Sequence, residues 1–198
     1  MMATAGAKRV AKAALLSAAV VFLSPLSALA DEPSRHSVGA AVVALPVEQT
    51  SCGCDGYSVY DAQSGAGLAL HYGWAILPRI RVGLMARWLT LRDATLLEAA
   101  PIVTGAVYAG TTLQWEIGGA LGARYGSSRG RPIPWTESGP FIALSTGPVF
   151  VVAPGFSVIV SFAAQTSFTN VSGGNDYVRG RSVIALSTPV EAGFRASF

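Results

Sequence analysis

Residues 113–125 read Leu-Gln-Trp-Glu-Ile-Gly-Gly-Ala-Leu-Gly-Ala-Arg-Tyr. The large apolar residues of this stretch all fall on odd positions, while Gln, Glu, Gly, Ala and Arg fill the even ones. A period of two is that of a β-strand with two different faces, whereas a helix would mix both sets on every face. The stretch therefore predicts a strand with one apolar face and one face of small and charged residues.

The same alternation recurs along the chain and predicts eight strands. In residues 68–76 and 80–88, large apolar residues again take one face, opposite small, polar or charged ones. The predicted strands span residues 37–45, 65–76, 79–91, 97–108, 111–125, 139–151, 155–168 and 182–198. Pro101 and Pro148 interrupt two of them. Because proline donates no ladder hydrogen bond, we expect each of these prolines at a bulge or near a membrane boundary.

The distribution of polarity is the inverse of that in a soluble β-sandwich. Large apolar residues on one face, opposite Gly, Ala, Ser and scattered charges, are typical of a transmembrane barrel with lipid outside and small or polar residues inside. No charged residue occurs from Ser138 to Asn175, and Gly147-Pro148 and Pro154-Gly155 exclude a spanning helix there. A soluble periplasmic barrel is the main alternative, and it would turn its large apolar face toward a core.

Composition excludes several other classes of protein. Charged residues make up only 13% of the chain, which argues against a disordered tail, a coiled coil or a nucleic-acid binder. Lys8, Arg9 and Lys12 account for the formal net charge of +3, because residues 31–198 contain 11 arginines, 11 acidic residues and no lysine. Residues 31–198 therefore have no net formal charge when histidine is neutral.

Residues 1–30 have the features of a secretory signal peptide. A basic segment precedes an apolar run at 14–27, and Ala28-Leu29-Ala30 has the small residues of a cleavage site at Ala28 and Ala30. We predict that the signal is cleaved and that residues 31–198 form one exported barrel domain. An N-terminal membrane anchor is the alternative, but the apolar run is short for a span and Pro25 lies near its end.

The connections between predicted strands alternate in length. Those at Leu77-Pro78, Ala109-Gly110 and 152–154 are short, and those at 46–64, 92–96, 126–138 and 169–181 are mostly longer, as for periplasmic turns and external loops. Aromatic residues form two predicted girdles at the membrane interfaces. The inner one contains Trp74, Trp115, Phe150, Phe156 and Phe198, and the outer one contains Trp88, Tyr125, Phe141 and Phe168.

The end of the chain carries the most specific pattern. Apolar residues occupy Val190, Ala192, Phe194, Ala196 and Phe198, the last residue. This alternation resembles the C-terminal strand signature of Gram-negative outer-membrane β-barrel proteins, and the length and strand number resemble the small eight-stranded OmpA/OmpX-like type. The resemblance implies an all-β, eight-stranded antiparallel up-and-down transmembrane β-barrel in the bacterial outer membrane. It also implies recognition by the barrel-assembly machinery during biogenesis.

Polar residues of the small-residue face are predicted to meet inside the barrel. An eight-stranded barrel is just wide enough for side chains to fill, and buried arginines need carboxylate partners, so we expect an internal ion-pair network. A narrow arginine-lined path for small anions is the alternative. The predicted lumen residues are His71, Arg79, Arg81, Arg87, Gln114, Glu116, Arg124, Glu191 and Arg195.

Cys52 and Cys54 lie in the first predicted external loop. In an oxidising envelope we predict a local disulfide between them, strained by their short spacing. A metal site would need more ligands than the nearby Asp55 and Asp61 supply. Intermolecular pairing of the two thiols is the remaining alternative.

No motif indicates a catalytic residue, a cofactor or a metal ion. The chain has only two histidines, His36 in the predicted N-terminal tail and His71 in the lumen, and no serine motif accompanies either one. We therefore predict a non-enzymatic barrel with a structural or surface-interaction role. A channel for small, anionic solutes is the alternative, and a lipid-modifying enzyme is a third hypothesis.

Predicted partners are outer-membrane lipid and lipopolysaccharide, whose phosphates arginine binds with two parallel hydrogen bonds. No nucleic acid is expected, and the sequence does not indicate a loop ligand. The arginines on the external side are Arg92, Arg129, Arg131, Arg179 and Arg181. The alternative is that these arginines are solvated loop charges without a ligand, balanced by acidic loop residues, namely Glu48, Asp55, Asp61, Asp93, Glu98, Glu137 and Asp176.

Overall fold

The computed structural model describes residues 35–54, 57–128, 134–173 and 182–198. Within these residues all regular secondary structure is β-strand. The strands are β1 (His36–Cys54), β2 (Tyr57–Leu77), β3 (Ile80–Leu91), β4 (Ala94–Ala109), β5 (Leu113–Ser128), β6 (Trp135–Ala153), β7 (Phe156–Gly173), β8 (Ser182–Ser187) and β9 (Val190–Ser197). No helix in this part of the chain is long and apolar enough to cross a membrane. The predicted signal peptide lies outside the described residues.

The strands close into an antiparallel ring with eight positions. Each strand from β1 to β7 pairs with the next, and β1 pairs on its other edge with both β8 and β9. β8 and β9 are two halves of one interrupted strand, because both also pair with β7 and only Thr188 and Pro189 separate them. The predicted fold class is therefore confirmed.

The seam between the first and last strands joins the ends of the described chain. β1 and β9 pair from Ser37 with Ser197 to Ala44 with Val190. His36 and Phe198 exchange backbone hydrogen bonds of 3.0 and 2.9 Å. A closed ring leaves no unpaired edge, which is the condition for placing β-structure in lipid.

The ring has two different ends. We call the end with Arg35, Phe198 and the connections 78–79, 110–112 and 154–155 the turn end, and the opposite one the loop end. At the connection between β6 and β7, Gly155 has a φ of 73°, a conformation that favours glycine, directly after Pro154. The three turn-end connections lie where short links were predicted.

Strands at the loop end are longer than predicted. Residues 46–54 and 57–64 belong to β1 and β2, and Glu48 pairs with Gln63 and Cys54 with Tyr57. Only Arg92 and Asp93 separate β3 from β4. Two of the four predicted loops are therefore hairpins of extended strand. The wider connections lie between β5 and β6 and between β7 and β8, and most of their residues fall outside the described part of the chain.

Neither Pro101 nor Pro148 lies at a bulge, which was one of the two positions predicted for each proline. Pro101 pairs with Leu84 and Pro148 with Trp115, and neither position shows a register shift. Each proline is unpaired on its other strand edge, Pro101 toward β5 and Pro148 toward β7. The missing N–H donor of proline therefore falls at a gap in the hydrogen-bond ladder. A shift does occur between Leu45 and Glu48, where β1 contains Pro46.

Side chains alternate between the outer face and the interior as predicted for the central strands. Leu68, Leu121 and Leu144 are 56, 64 and 67% exposed on the outside, whereas Arg87 and Arg124 are buried inside. The interior is more apolar than expected, and one girdle assignment is wrong. Phe141 is fully buried in the interior, because it shares the inward parity of its strand neighbours Glu137 and Ala143.

Closure of the seam depends on a close approach at Gly193. A Cβ atom there would lie 2.5 Å from the Cα and 2.6 Å from the Cβ of Ala41 on β1. Because overpacking costs about 1–3 kcal/mol, we expect Gly193→Val to lower the free energy of unfolding in urea by that order. The refolded fraction on a gel without boiling should fall in parallel. Ala192→Val, on the exposed outer face, is the matched control, and equal destabilisation by both variants would contradict this account.

Candidate functional site

The inward positions of eight strands bring charged and polar residues together in three clusters inside the ring. The loop-side cluster contains Glu48, Arg124, Glu137 and Thr169; the central cluster contains His71, Arg87, Glu98, Gln165 and Glu191; and the turn-side cluster contains Arg81, Glu116 and Arg195. Together they hold four arginines and five glutamates. Opposite charges therefore nearly balance in a space from which most water is excluded.

The loop-side cluster surrounds one guanidinium group. Arg124 donates from Nη2 to Oε1 and from Nη1 to Oε2 of Glu48, at 2.5 and 3.0 Å. Its Nε donates to Oε1 of Glu137 at 2.9 Å. Thr169 donates to the other oxygen of Glu137 at 3.4 Å. The paired, two-pronged geometry with Glu48 is the strong form of an arginine–carboxylate contact.

The central cluster is built around Arg87. Its Nε donates to Glu191 at 2.6 Å, and its Nη1 contacts Gln165 at 2.9 Å and Glu98 at 3.3 Å. Gln165 in turn donates to Glu98 at 2.5 Å. His71 Nε2 lies 2.9 Å from the second oxygen of Glu191. Glu98 also lies 4.0 Å from Arg124, which links this cluster to the loop-side one.

The turn-side cluster is the more open one. Arg195 binds Glu116 through Nη1 and Nη2 at 2.7 and 2.8 Å, and Arg81 donates from Nη1 to Oε1 of Glu116 at 3.2 Å. The Arg81 side chain is 29% exposed, compared with 5% for Arg87. A cavity of about 100 Å³ lies between this cluster and the central one.

Apolar side chains close the interior on the loop side. Leu45, Leu89, Leu91 and Leu96 are buried together with small alanines, and Trp135 packs against them. Val171 and Val183 pack against the same tryptophan. We call this group the apolar plug. Charged groups in the lumen are therefore separated from the loop end by a packed core.

Seven of the nine predicted lumen residues meet in these clusters. Arg79 does not, because it lies exposed in the connection between β2 and β3. Gln114 is half-buried near the turn end, outside the three clusters. The prediction therefore included two residues near the turn end that do not take part in the network.

Five members of the network were missed, and Thr169 is one of them. Glu48, Glu98 and Glu137 were predicted as solvated loop acids, yet they are 4, 3 and 6% exposed inside the ring. Gln165 was not among the predicted lumen residues, yet it is buried between Arg87 and Glu98. The strands continue past the predicted ends, and the register shift before Glu48 reverses the parity of β1, so an even-numbered residue points inward there. Glu98 on β4 pairs directly with Arg124 on β5. Because paired residues of neighbouring strands point to the same face, the inward orientation of Arg124 requires that Glu98 also point inward.

His36 and the two cysteines lie in β1 and not in a tail or loop. His36 begins the strand on the outer face, where its Nδ1 lies 2.8 Å from the Tyr72 hydroxyl and its ring stacks with Trp74 and Phe198. Cys52 and Cys54 are backbone members of β1 opposite Val59 and Tyr57. Their side chains are outside the described part of the structure, so the disulfide stays a prediction.

Comparison with known proteins identifies the architecture. No protein-family model matches the sequence, and no curated protein matches it. Solved structures do match. Neisserial surface protein A has a TM-score of 0.58 and 14% identity, covering 84% of this chain and 100% of its own. The chain has the fold of the small outer-membrane β-barrels.

Two further structures have the same barrel. The outer membrane protein OprG from Pseudomonas aeruginosa has a TM-score of 0.53 and 12% identity, covering 84% of this chain and 97% of its own. Outer membrane protein AlkL, solved in DMPC lipid bilayers, has a TM-score of 0.54 and 10% identity, covering 88% of this chain and 96% of its own. At such identities the likeness concerns the barrel fold alone.

Loss of Arg124 should destabilise the barrel strongly. Arg124→Met would leave Glu48 and Glu137 buried without their cation, and breaking a buried pair in this way costs about 3–5 kcal/mol. The measurement is urea unfolding of the refolded barrel in lipid vesicles. Arg92→Met, at an exposed arginine between β3 and β4, is the matched control with little expected effect. A loss at Arg124 no larger than at Arg92 would refute the structural importance of the loop-side cluster.

Proposed function

We propose that the protein is a non-enzymatic, integral β-barrel of the bacterial outer membrane that acts through its loop end. The observation that carries this proposal is the reversed polarity of the ring. Large apolar side chains cover the outside, and the charged residues of the central strands lie inside. In water this arrangement would expose an apolar belt, whereas in lipid it is the favourable one.

Aromatic residues on the outer face support a membrane location. Trp74, Trp115 and Phe198 are exposed toward the turn end, and Trp88 and Tyr125 are exposed nearer the loop end. Amphipathic rings in two belts are typical of the two membrane interfaces. The Trp115 indole N–H donates to the Thr146 hydroxyl at 2.8 Å, so this polar group has a protein partner on the outer face.

The sealed lumen favours a structural or surface-interaction role over a channel. A through-path for solutes would have to cross the apolar plug and the loop-side cluster, where Arg124 is held by Glu48 and Glu137. Moving these groups would remove packing and strong ion pairs together. Conduction of small anions is accordingly the second candidate and not the first.

The histidine environments favour a non-enzymatic role. His71 Nε2 is engaged by Glu191, and His36 Nδ1 by the Tyr72 hydroxyl. Acyl transfer or hydrolysis would need a nucleophile within hydrogen-bond reach of a base. Among the described residues, neither histidine has a serine or threonine hydroxyl as a hydrogen-bond partner.

The orientation that we propose places the turn end in the periplasm and the loop end outside the cell. Barrels of this class have brief periplasmic turns and larger external connections. Arg92, exposed between β3 and β4, then lies on the outer side. Arg129, Arg131, Arg179 and Arg181 fall outside the described residues, and the sequence predicts them on the same side. We propose that these guanidinium groups bind phosphates of lipopolysaccharide, and that the barrel-assembly machinery inserts the chain through its last strand.

Membrane integration can be tested by fractionation of a Gram-negative host that expresses the full chain. We expect the protein in the outer-membrane fraction, resistant to a salt wash, with different mobility in mild SDS before and after boiling. Closed barrels resist SDS without heat because all backbone groups are paired within the ring. Release by osmotic shock, with no change in mobility, would overturn the proposal in favour of a soluble barrel.

The sealed lumen can be tested by recording from single barrels in planar bilayers. We expect no steady conductance from the unaltered protein. The variant Leu89→Gly with Leu96→Gly, which empties part of the apolar plug, should conduct more often. Leu84→Gly with Leu97→Gly removes two exposed leucines from the outer face of the same strands and is the control. Steady conductance of the unaltered barrel would establish the channel instead.

A further inference from the structure

The pairing of arginines in the turn-side cluster is unequal. Arg195 uses two nitrogens on the two oxygens of Glu116, while Arg81 adds one hydrogen bond of 3.2 Å to an oxygen that Arg195 already occupies. We propose that the turn-side cavity is a vestibule that binds a small oxyanion of the size of phosphate or sulfate, with Arg81 as the main ligand. This inference goes beyond the proposed function and does not depend on the orientation of the barrel.

Arg81 has unused hydrogen-bonding capacity. A guanidinium group carries five N–H donors, and Arg81 places one of them on Glu116 within the described structure. Its side chain is partly open to solvent but still more than two-thirds covered. Phosphate and sulfate match the planar edge of a guanidinium with two parallel hydrogen bonds, which is the arrangement that Arg81 leaves available.

The charge around the cavity favours an anion. Arg81, Arg87 and Arg195 line the cavity, together with Glu116 and Glu191. Three cations therefore face two carboxylates, before any charge on His71 is counted. Glu98, which offsets part of the charge of Arg87, is held on the far side of that residue by Gln165 and is absent from the lining. With Glu98 included, the central and turn-side clusters hold three arginines and three glutamates, so the excess of positive charge is local to the wall of the cavity.

The size and lining of the cavity suit a small hydrated ion. Its volume is about 100 Å³, which exceeds the roughly 10–15 Å³ that one water requires on the same scale. Hydroxyl groups of Ser37, Thr104, Ser145 and Ser161 supply further polar lining. A ligand as large as a sugar or nucleotide would need the packed side chains of Met85 and Ile102 to move.

The vestibule is open at one end only. Arg81 and Arg195, at 29 and 15% exposure, lie toward the turn end, whereas Arg87 and Arg124, at 5 and 2%, lie deeper. The apolar plug closes the far side. The anion would therefore enter and leave through the turn end, and binding would not produce transport.

The test is calorimetric titration of the folded, full-length mature barrel in uncharged maltoside micelles with sodium phosphate and, separately, sodium sulfate. We expect saturable binding of one oxyanion per barrel at low ionic strength. Arg81→Gln should weaken the affinity by about tenfold or more, because it removes both the charge and the two-pronged edge. Arg81→Lys should give an intermediate affinity, since it keeps the charge alone.

Arg79→Gln is the matched control, because Arg79 lies two residues away and is exposed outside the cavity. It should change the affinity by less than about twofold. All variants are first checked for the folded mobility on a gel without boiling. Absence of saturable binding to the unaltered barrel, or equal weakening by Arg79→Gln and Arg81→Gln, would overturn the proposal. Neither result would alter membrane integration or the conductance result.

Discussion

Burial of guanidinium groups inside a narrow ring determines which other residues the interior must contain. Arg87 and Arg124 lie where water is nearly excluded, so each one needs carboxylates in fixed positions. Glu48, Glu98 and Glu137 supply them from three different strands. The network therefore fixes the order and register of the strands as well as satisfying charge. A slipped strand would turn its glutamate toward lipid and leave an arginine unpaired.

The lipid outside and the network inside require that the ring close without an edge. Closure joins β1 to β9, and the same strands place Glu191 beside Arg87 and Arg195 beside Glu116. Small residues at the seam, such as Gly193 against Ala41, allow the backbones to approach. Backbone pairing at the seam and charge pairing in the lumen are thus made by the same residues of the last strand.

The sequence was sufficient to predict which residues share a face of each strand, but it did not predict where the strands end. On β5 strict alternation placed Glu116 and Arg124 inside, and both are there. Beyond the lipid-facing segments the period-two contrast fades, and Glu48 and Glu137 look like loop acids until a partner arginine is located across the ring. Asp55-Gly56 was a hairpin signal that would have extended β1 and β2. The partnership of Arg124 with Glu48, 76 residues apart, is visible only in three dimensions.

The lumen differs in physical character along its length, and this difference bears on what the barrel can do. Toward the loop end, leucines, Trp135 and the enclosed Arg124 pair form a solid interior that stabilises the extended strands. Toward the turn end, glycines and hydroxyl side chains leave a cavity beside an arginine with spare donors. A pore would require continuity between these halves, but packing is dense where the charges are most fully paired. The fold therefore combines a packed interior toward the loop end with a cavity toward the turn end.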